Sequence, residues 1–117
     1  MRGERANRVV LEKIIKYCDS AREICEKHSF DRKAFDEDTE FQFSCGMCII
    51  QIGELAGRLD SDIRDRNSEI PWKSVIGMRN VFAHDYDIVN NDTLWKTITE
   101  DLPELKMKVQ KILAAGC

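Results

Sequence analysis

Apolar residues recur at three- and four-residue steps along nearly the whole of this chain, and no stretch alternates with period two for long enough to make a strand. Val10, Ile14, Tyr17, Cys18, Ala21, Ile24 and Cys25 share one face and predict a helix from about Arg5 to Lys27. Residues 29–38 break the pattern and read as a loop, with Phe30 and Phe35 as anchors. A second helix should run from Asp38 or Thr39 to near Arg64, with Cys45, Cys48, Ile49, Ile52, Leu55, Ala56 and Leu59 on its inner face. Pro71 suits the first position of a third helix, where its missing N–H costs nothing. That helix, Trp72 to about Ala83, is apolar nearly all round, so it is expected as the buried central element. The last helical stretch should be capped by Asn91 or Asp92 and carries Leu94, Ile98, Leu102, Leu105, Val109 and Ile112 on one face. Pro103 should kink it or divide it, with Asp101 capping the second piece. The expectation is an all-α antiparallel bundle of four helices, or five if the Pro103 break counts, forming one domain over residues 1–117.

Composition narrows the function. Eighteen basic against 21 acidic residues give a net charge of -3, which argues against a broad electrostatic grip on nucleic acid. The excess is local: residues 36–70 hold 3 basic and 9 acidic side chains. No apolar run approaches the roughly 20 residues that span a bilayer. The opening MRGERANRVV has charges but no apolar core of a signal peptide. An odd set of five cysteines then fits reduced thiols in a cytoplasm.

Two charged residues stand where the pattern asks for apolar ones. Arg79 sits in the apolar arc of the third helix, among Trp72, Val75, Ile76, Phe82 and Ala83. A guanidinium there must meet a carboxylate or look into a cleft or interface, because burying it unpaired is very costly. Glu54 is its candidate partner, stranded in a second apolar stripe (Phe43, Met47, Ile50, Gly57) on the outer face of the second helix. A helix apolar on two faces packs against two things, and in so small a chain the second can be another subunit or another helix of the same bundle. The Arg79–Glu54 pair can equally be an internal tie between helices. Five residues after Arg79 comes His84, with Asn80 and Tyr86 nearby. Arg binds phosphate in a two-pronged grip, and His moves protons near neutrality, so the pair suffices in principle for RNA cleavage without a metal. A five-residue step leaves the two side chains about 140° apart on a straight helix, so a dimer cleft is the natural place to bring both together.

The run Arg79-Asn80-Val81-Phe82-Ala83-His84-Asp85-Tyr86 resembles the R-x4-H-x-Y signature of HepT-like toxins in the HEPN superfamily. IGELAGRL at 52–59, EIPWKSVIGMRN at 69–80 and TEDLPELK at 99–106 follow in the family's order, and the resemblance spans about residues 8–112. It implies a small helical homodimer and the toxin of a type VII toxin–antitoxin system. The activity implied is metal-independent endoribonuclease cleavage at the dimer cleft. Arg79 and His84 match the catalytic pair, and Asn80 matches the polar residue after the Arg; Glu54, as the partner of Arg79, is expected to support the site. Tyr86 matches the tyrosine that a cognate minimal nucleotidyltransferase antitoxin modifies with AMP. No cofactor and no membrane partner are expected. Gly57, where a residue such as Ala or Ser is expected, and the cysteine content depart from the family's pattern, and neither touches the signature.

Other readings remain. Cys25-x2-His28 and Cys45-x2-Cys48 have a zinc-like spacing, but they lie in or at the end of predicted helices without glycine turns, and cysteine suits a core stripe. No metal ligands are therefore assigned. Trp72 and Trp95 read as core or interface anchors rather than base-stacking platforms. Asp36, Glu37, Asp38 and Glu40 read as a solvated helix start. The rival to a nuclease is a non-catalytic HEPN module that binds a nucleotide or docks to a nucleotidyltransferase.

Overall fold

The computed structural model describes residues 2–116, and every regular element among them is helical. In chain order these are α1 (Arg2–Lys27), α2 (Arg32–Glu37), α3 (Thr39–Arg58), α4 (Ser61–Arg66) and α5 (Trp72–His84). A 3-10 turn at Tyr86–Ile88 leads to α6 (Asn91–Lys96), a π-helical turn at Thr97–Asp101 and α7 (Leu102–Ala114). The last three run on as one rod. The fold is thus the expected all-α bundle, built on four long helical pieces. The central pair is α1 and α3; α7 lies on the far side of α1, and α5 lies on the far side of α3.

The expectation that the third long helix is the buried centre is therefore corrected: α3 holds that place. On α5 only Trp72, Val75 and Phe82 are buried, while Val81 is 45% exposed. An all-round apolar helix does not find enough partners here, because α5 packs mainly on one neighbour. The inner face of α3 is buried as read, from Cys45 through Cys48, Ile49 and Ile52 to Leu55, Ala56 and the adjoining Leu59, and Phe41 extends it. It meets Leu11, Ile14, Cys18, Ala21 and Cys25 in the common core.

The structure differs from the sequence reading at four places. The segment expected as a loop contains α2, capped by Asp31, whose carboxylate accepts from the Lys33 N–H at 3.0 Å. Phe35 is fully buried against Phe41 and Trp95, at ring distances of 5.0 and 5.1 Å, but Phe30 is 44% exposed. Ser29 and Phe30 close α1 in the left-handed region (φ 55° and 51°), with the Phe30 N–H donating to Cys25 O at 2.8 Å. Next, α3 stops at Arg58 rather than near Arg64. Leu59 and Asp60 turn extended, and the Asp60 N–H donates to the side chain of buried Asn7 at 3.2 Å. A side chain from α1 thus takes the hydrogen bond that would have continued the helix.

Third, Pro103 neither breaks the last rod nor needs Asp101 as a cap. The chain widens into the π-helical turn, in which the Leu102 N–H reaches Thr97 O. Asp101 stays helical and instead accepts from Lys96 Nζ at 3.0 Å. The cap of α6 is Asn90, which accepts from the Asp92 N–H at 2.6 Å, one residue before the expected position.

Candidate active site on helix α5

Gly53 decides how α5 meets α3. A Cβ at that position would collide with Arg79 Cβ and lie 3.2 Å from both Arg79 Cγ and the Val75 carbonyl. Only glycine lets the two helices approach this closely. The approach carries the Arg79 side chain across α3 to Glu54, one residue on. Arg79 Nε and Glu54 Oε1 form an ion pair, and Arg79 Nη1 donates to Asn80 Oδ1 at 3.0 Å. The guanidinium is not the buried charge that its apolar setting suggested: 31% of the Arg79 side chain and 38% of the Glu54 side chain remain exposed. Glu54 and Asn80 hold the group from two sides while part of it faces solvent.

His84 ends α5 and is exposed, as are Asn80 and Ala83. Arg79 and His84 leave the helix in different directions, so the structure does not bring the two together on one chain through any direct bond. Tyr86 opens the 3-10 turn that follows. Its ring packs edge-on against Phe43 at 5.0 Å, and its hydroxyl donates to Gln42 Oε1 at 3.1 Å. Burial, with a smaller contribution from Cys45, raises the phenol above its ordinary pKa.

Around these groups lies the second stripe of α3. Phe43 and Met47 are 55% and 54% exposed, and Val81 of α5 continues the apolar surface. Tryptophan takes no part in the site. Trp72 is buried with its Nε1 donating to Asn67 O at 3.1 Å, and Trp95 belongs to the aromatic cluster with Phe35 and Phe41.

The ribonuclease HepT-like family matches residues 14–112. The chain belongs to that family. Among curated proteins it is 34% identical over 106 residues to "Putative RNase TTE0752" of Caldanaerobacter subterraneus subsp. tengcongensis, covering 91% of this chain and 93% of that one. It is 31% identical over 109 residues to "Probable ribonuclease HepT" of Thermococcus cleftensis, covering 93% and 97%. No solved structure gives a significant match.

The HepT-like chain holds its four described cysteines in the core. Cys18, Cys25, Cys45 and Cys48 are buried free thiols, and His28 stacks on Phe41 at 4.0 Å between ring centres. Among the described residues no group of three or more His, Cys, Asp and Glu is placed to hold a metal ion. Burial raises Cys48 to about 11 and Cys18 to about 12. No described helix is long and apolar enough to cross a membrane. Two residues at the site escaped the sequence reading. Gly53 stood beside the singled-out Glu54, and a glycine in mid-helix was a usable signal. Gln42 gave none, being 44 residues from Tyr86.

Proposed function

We propose that this HepT-like chain is an endoribonuclease that cleaves RNA without a metal ion, acting as the toxin of a type VII toxin–antitoxin pair. The observation that carries the reading is the state of Arg79: fixed by Glu54 and Asn80, yet open to solvent on an exposed apolar surface. An arginine set this way can receive a phosphate without first losing side-chain freedom. Family membership and the names of the relatives support the choice of RNA as substrate.

In this mechanism His84 takes the proton from a ribose 2′-hydroxyl, whose oxygen attacks the adjacent phosphorus. The P–O5′ bond breaks, the leaving oxygen receives a proton, and a cyclic phosphate remains. Arg79 stabilises the negative charge that gathers on the phosphoryl oxygens. Two copies of the chain would share the cleft, joined through Phe43, Met47 and Val81, so that His84 of one faces Arg79 of the other. AMP placed on Tyr86 by a cognate nucleotidyltransferase would set a bulky anion two residues from His84 and repel the RNA backbone.

The test compares wild-type protein, free of Tyr86 modification, with His84→Ala and Arg79→Ala on RNA in EDTA and for growth arrest. Cleavage by the wild type alone supports the reading. A wild type that neither cuts RNA nor slows growth refutes it and leaves the partner-binding module.

A further inference from the structure

Gln42 has a single orientation open to it. Its Nε2 donates to the carbonyls of Phe35 at 2.7 Å and Asp36 at 3.2 Å, near the end of α2. Both amide hydrogens are thereby used, so the amide oxygen faces Tyr86 and accepts its hydroxyl at 3.1 Å. Phe43 and Phe82 flank the same ring, at 5.0 and 6.4 Å. This pose suits only the neutral phenol. A phenolate would set two acceptors against each other, and a phenol attacks an electrophile best through its ionised oxygen.

We infer that Gln42 is a positioning residue, a latch that keeps Tyr86 in an unreactive pose and sets how fast its oxygen is modified. The inference rests on the proposed reading of Tyr86 as the target of AMP transfer. In that step Tyr86 Oη bonds to the α-phosphorus of ATP and the α–β phosphoanhydride bond breaks. Pyrophosphate leaves with the electron pair, and the phenolic proton passes to solvent. Tyr86 must leave Gln42 before this can happen. The product cannot return, because the ester oxygen has no hydrogen to give and the phosphoryl group meets the Gln42 oxygen with like partial charge. The turn at Tyr86–Ile88 then stays out, with the nucleotide beside His84.

The latch can be tested with N-acetylimidazole, which acetylates phenols without any partner protein. Peptide mass spectrometry separates Tyr86 from Tyr17, the other tyrosine, which serves as an internal control. Gln42→Leu is expected to raise the Tyr86 rate about fivefold, the equilibrium weight of one neutral hydrogen bond, with Tyr17 unchanged. Arg22→Ala removes an exposed ion pair with Glu26 on α1 and touches neither Gln42 nor its partners, so it should leave the Tyr86 rate as it is. In a Tyr17→Phe background, absorbance titration of Tyr86 should move to lower pH when Gln42 is replaced. An unchanged Tyr86 rate in Gln42→Leu, or an equal rise in Arg22→Ala, overturns the latch. A parallel arm supplies the cognate transferase and ATP. If no AMP reaches Tyr86 in any variant, the reading of Tyr86 as a target fails, while acetylation still decides the latch.

Discussion

The two sides of α3 face different surroundings. Its inner side is closed: Cys45, Ile49, Ile52 and Ala56 are at most 1% exposed. Its outer side is open, with Phe43 and Met47 more than half exposed and Glu54 reaching Arg79 in partial contact with water. One side gives the molecule its stability and leaves no group free for chemistry. The other leaves apolar area uncovered and ends at the charged groups. The contrast teaches that one helix can keep the two tasks apart simply by facing them in opposite directions.

The strongest way to break the comparison is at the open side. Arg79→Ala and His84→Ala should each lower RNA cleavage by about 10²- to 10⁴-fold, with thermal unfolding little changed for His84→Ala. A loss of stability as large as the loss of activity would mean that the open side also holds the fold. At the closed side the reverse is expected. Phe41→Ala should cost about 3–5 kcal/mol in urea unfolding, since it empties the space between Phe35, Trp95 and His28.

Gly53→Ala sits between the two. The added methyl must push Arg79 and α5 away, at a cost of about 1–3 kcal/mol, and should reduce cleavage at the same time. The closed side also predicts a pH dependence. Cys18 and Cys48 are raised in the folded state from 9.0 to about 12 and about 11. Below pH 9 both states keep these protons, so their contribution is fully present. As pH rises past 9 the unfolded chain loses protons that the folded one retains, and stability falls until the folded values are reached. The loss is about 1 kcal/mol per thiol for each pH unit, and Cys18→Ala should flatten the curve in denaturation between pH 9 and 11. The smallest effect on the single chain belongs to Met47→Asp, within about 0.5 kcal/mol because the residue is exposed. The same change should halve the mass seen by light scattering, and an unchanged mass would show that the open side is not a subunit contact.

What was legible in the sequence follows this division. The inner face of α3 and the rod from Leu94 to Ile112 could be read because burial imposes a helical period on apolar residues. Arg79 and Glu54 could be read because charge breaks that period. What could not be read depends on side chains that meet across long stretches of chain. Asn7 ends α3 from 53 residues away, and Gln42 holds Tyr86 from 44. Neither leaves a mark on local spacing. The place of α5 was misjudged for a related reason: period and composition register apolar character, and they cannot distinguish a helix enclosed by its own chain from one that keeps Val81 uncovered.

The π-helical turn at Thr97–Asp101 has a consequence for the length of the chain itself. One residue of an α-helix corresponds to about 100° of rotation. The widened turn absorbs one residue more than a regular rod would, so α7 and α6 are set out of phase by that amount. Deleting a single residue there would let the rod close regularly with Leu105, Val109 and Ile112 still seated. Everything upstream would be rotated, carrying with it the Asn90 cap and the connection back to Tyr86. The angular setting of the loop beside His84 is therefore encoded in a residue count, well away from any side chain that performs chemistry.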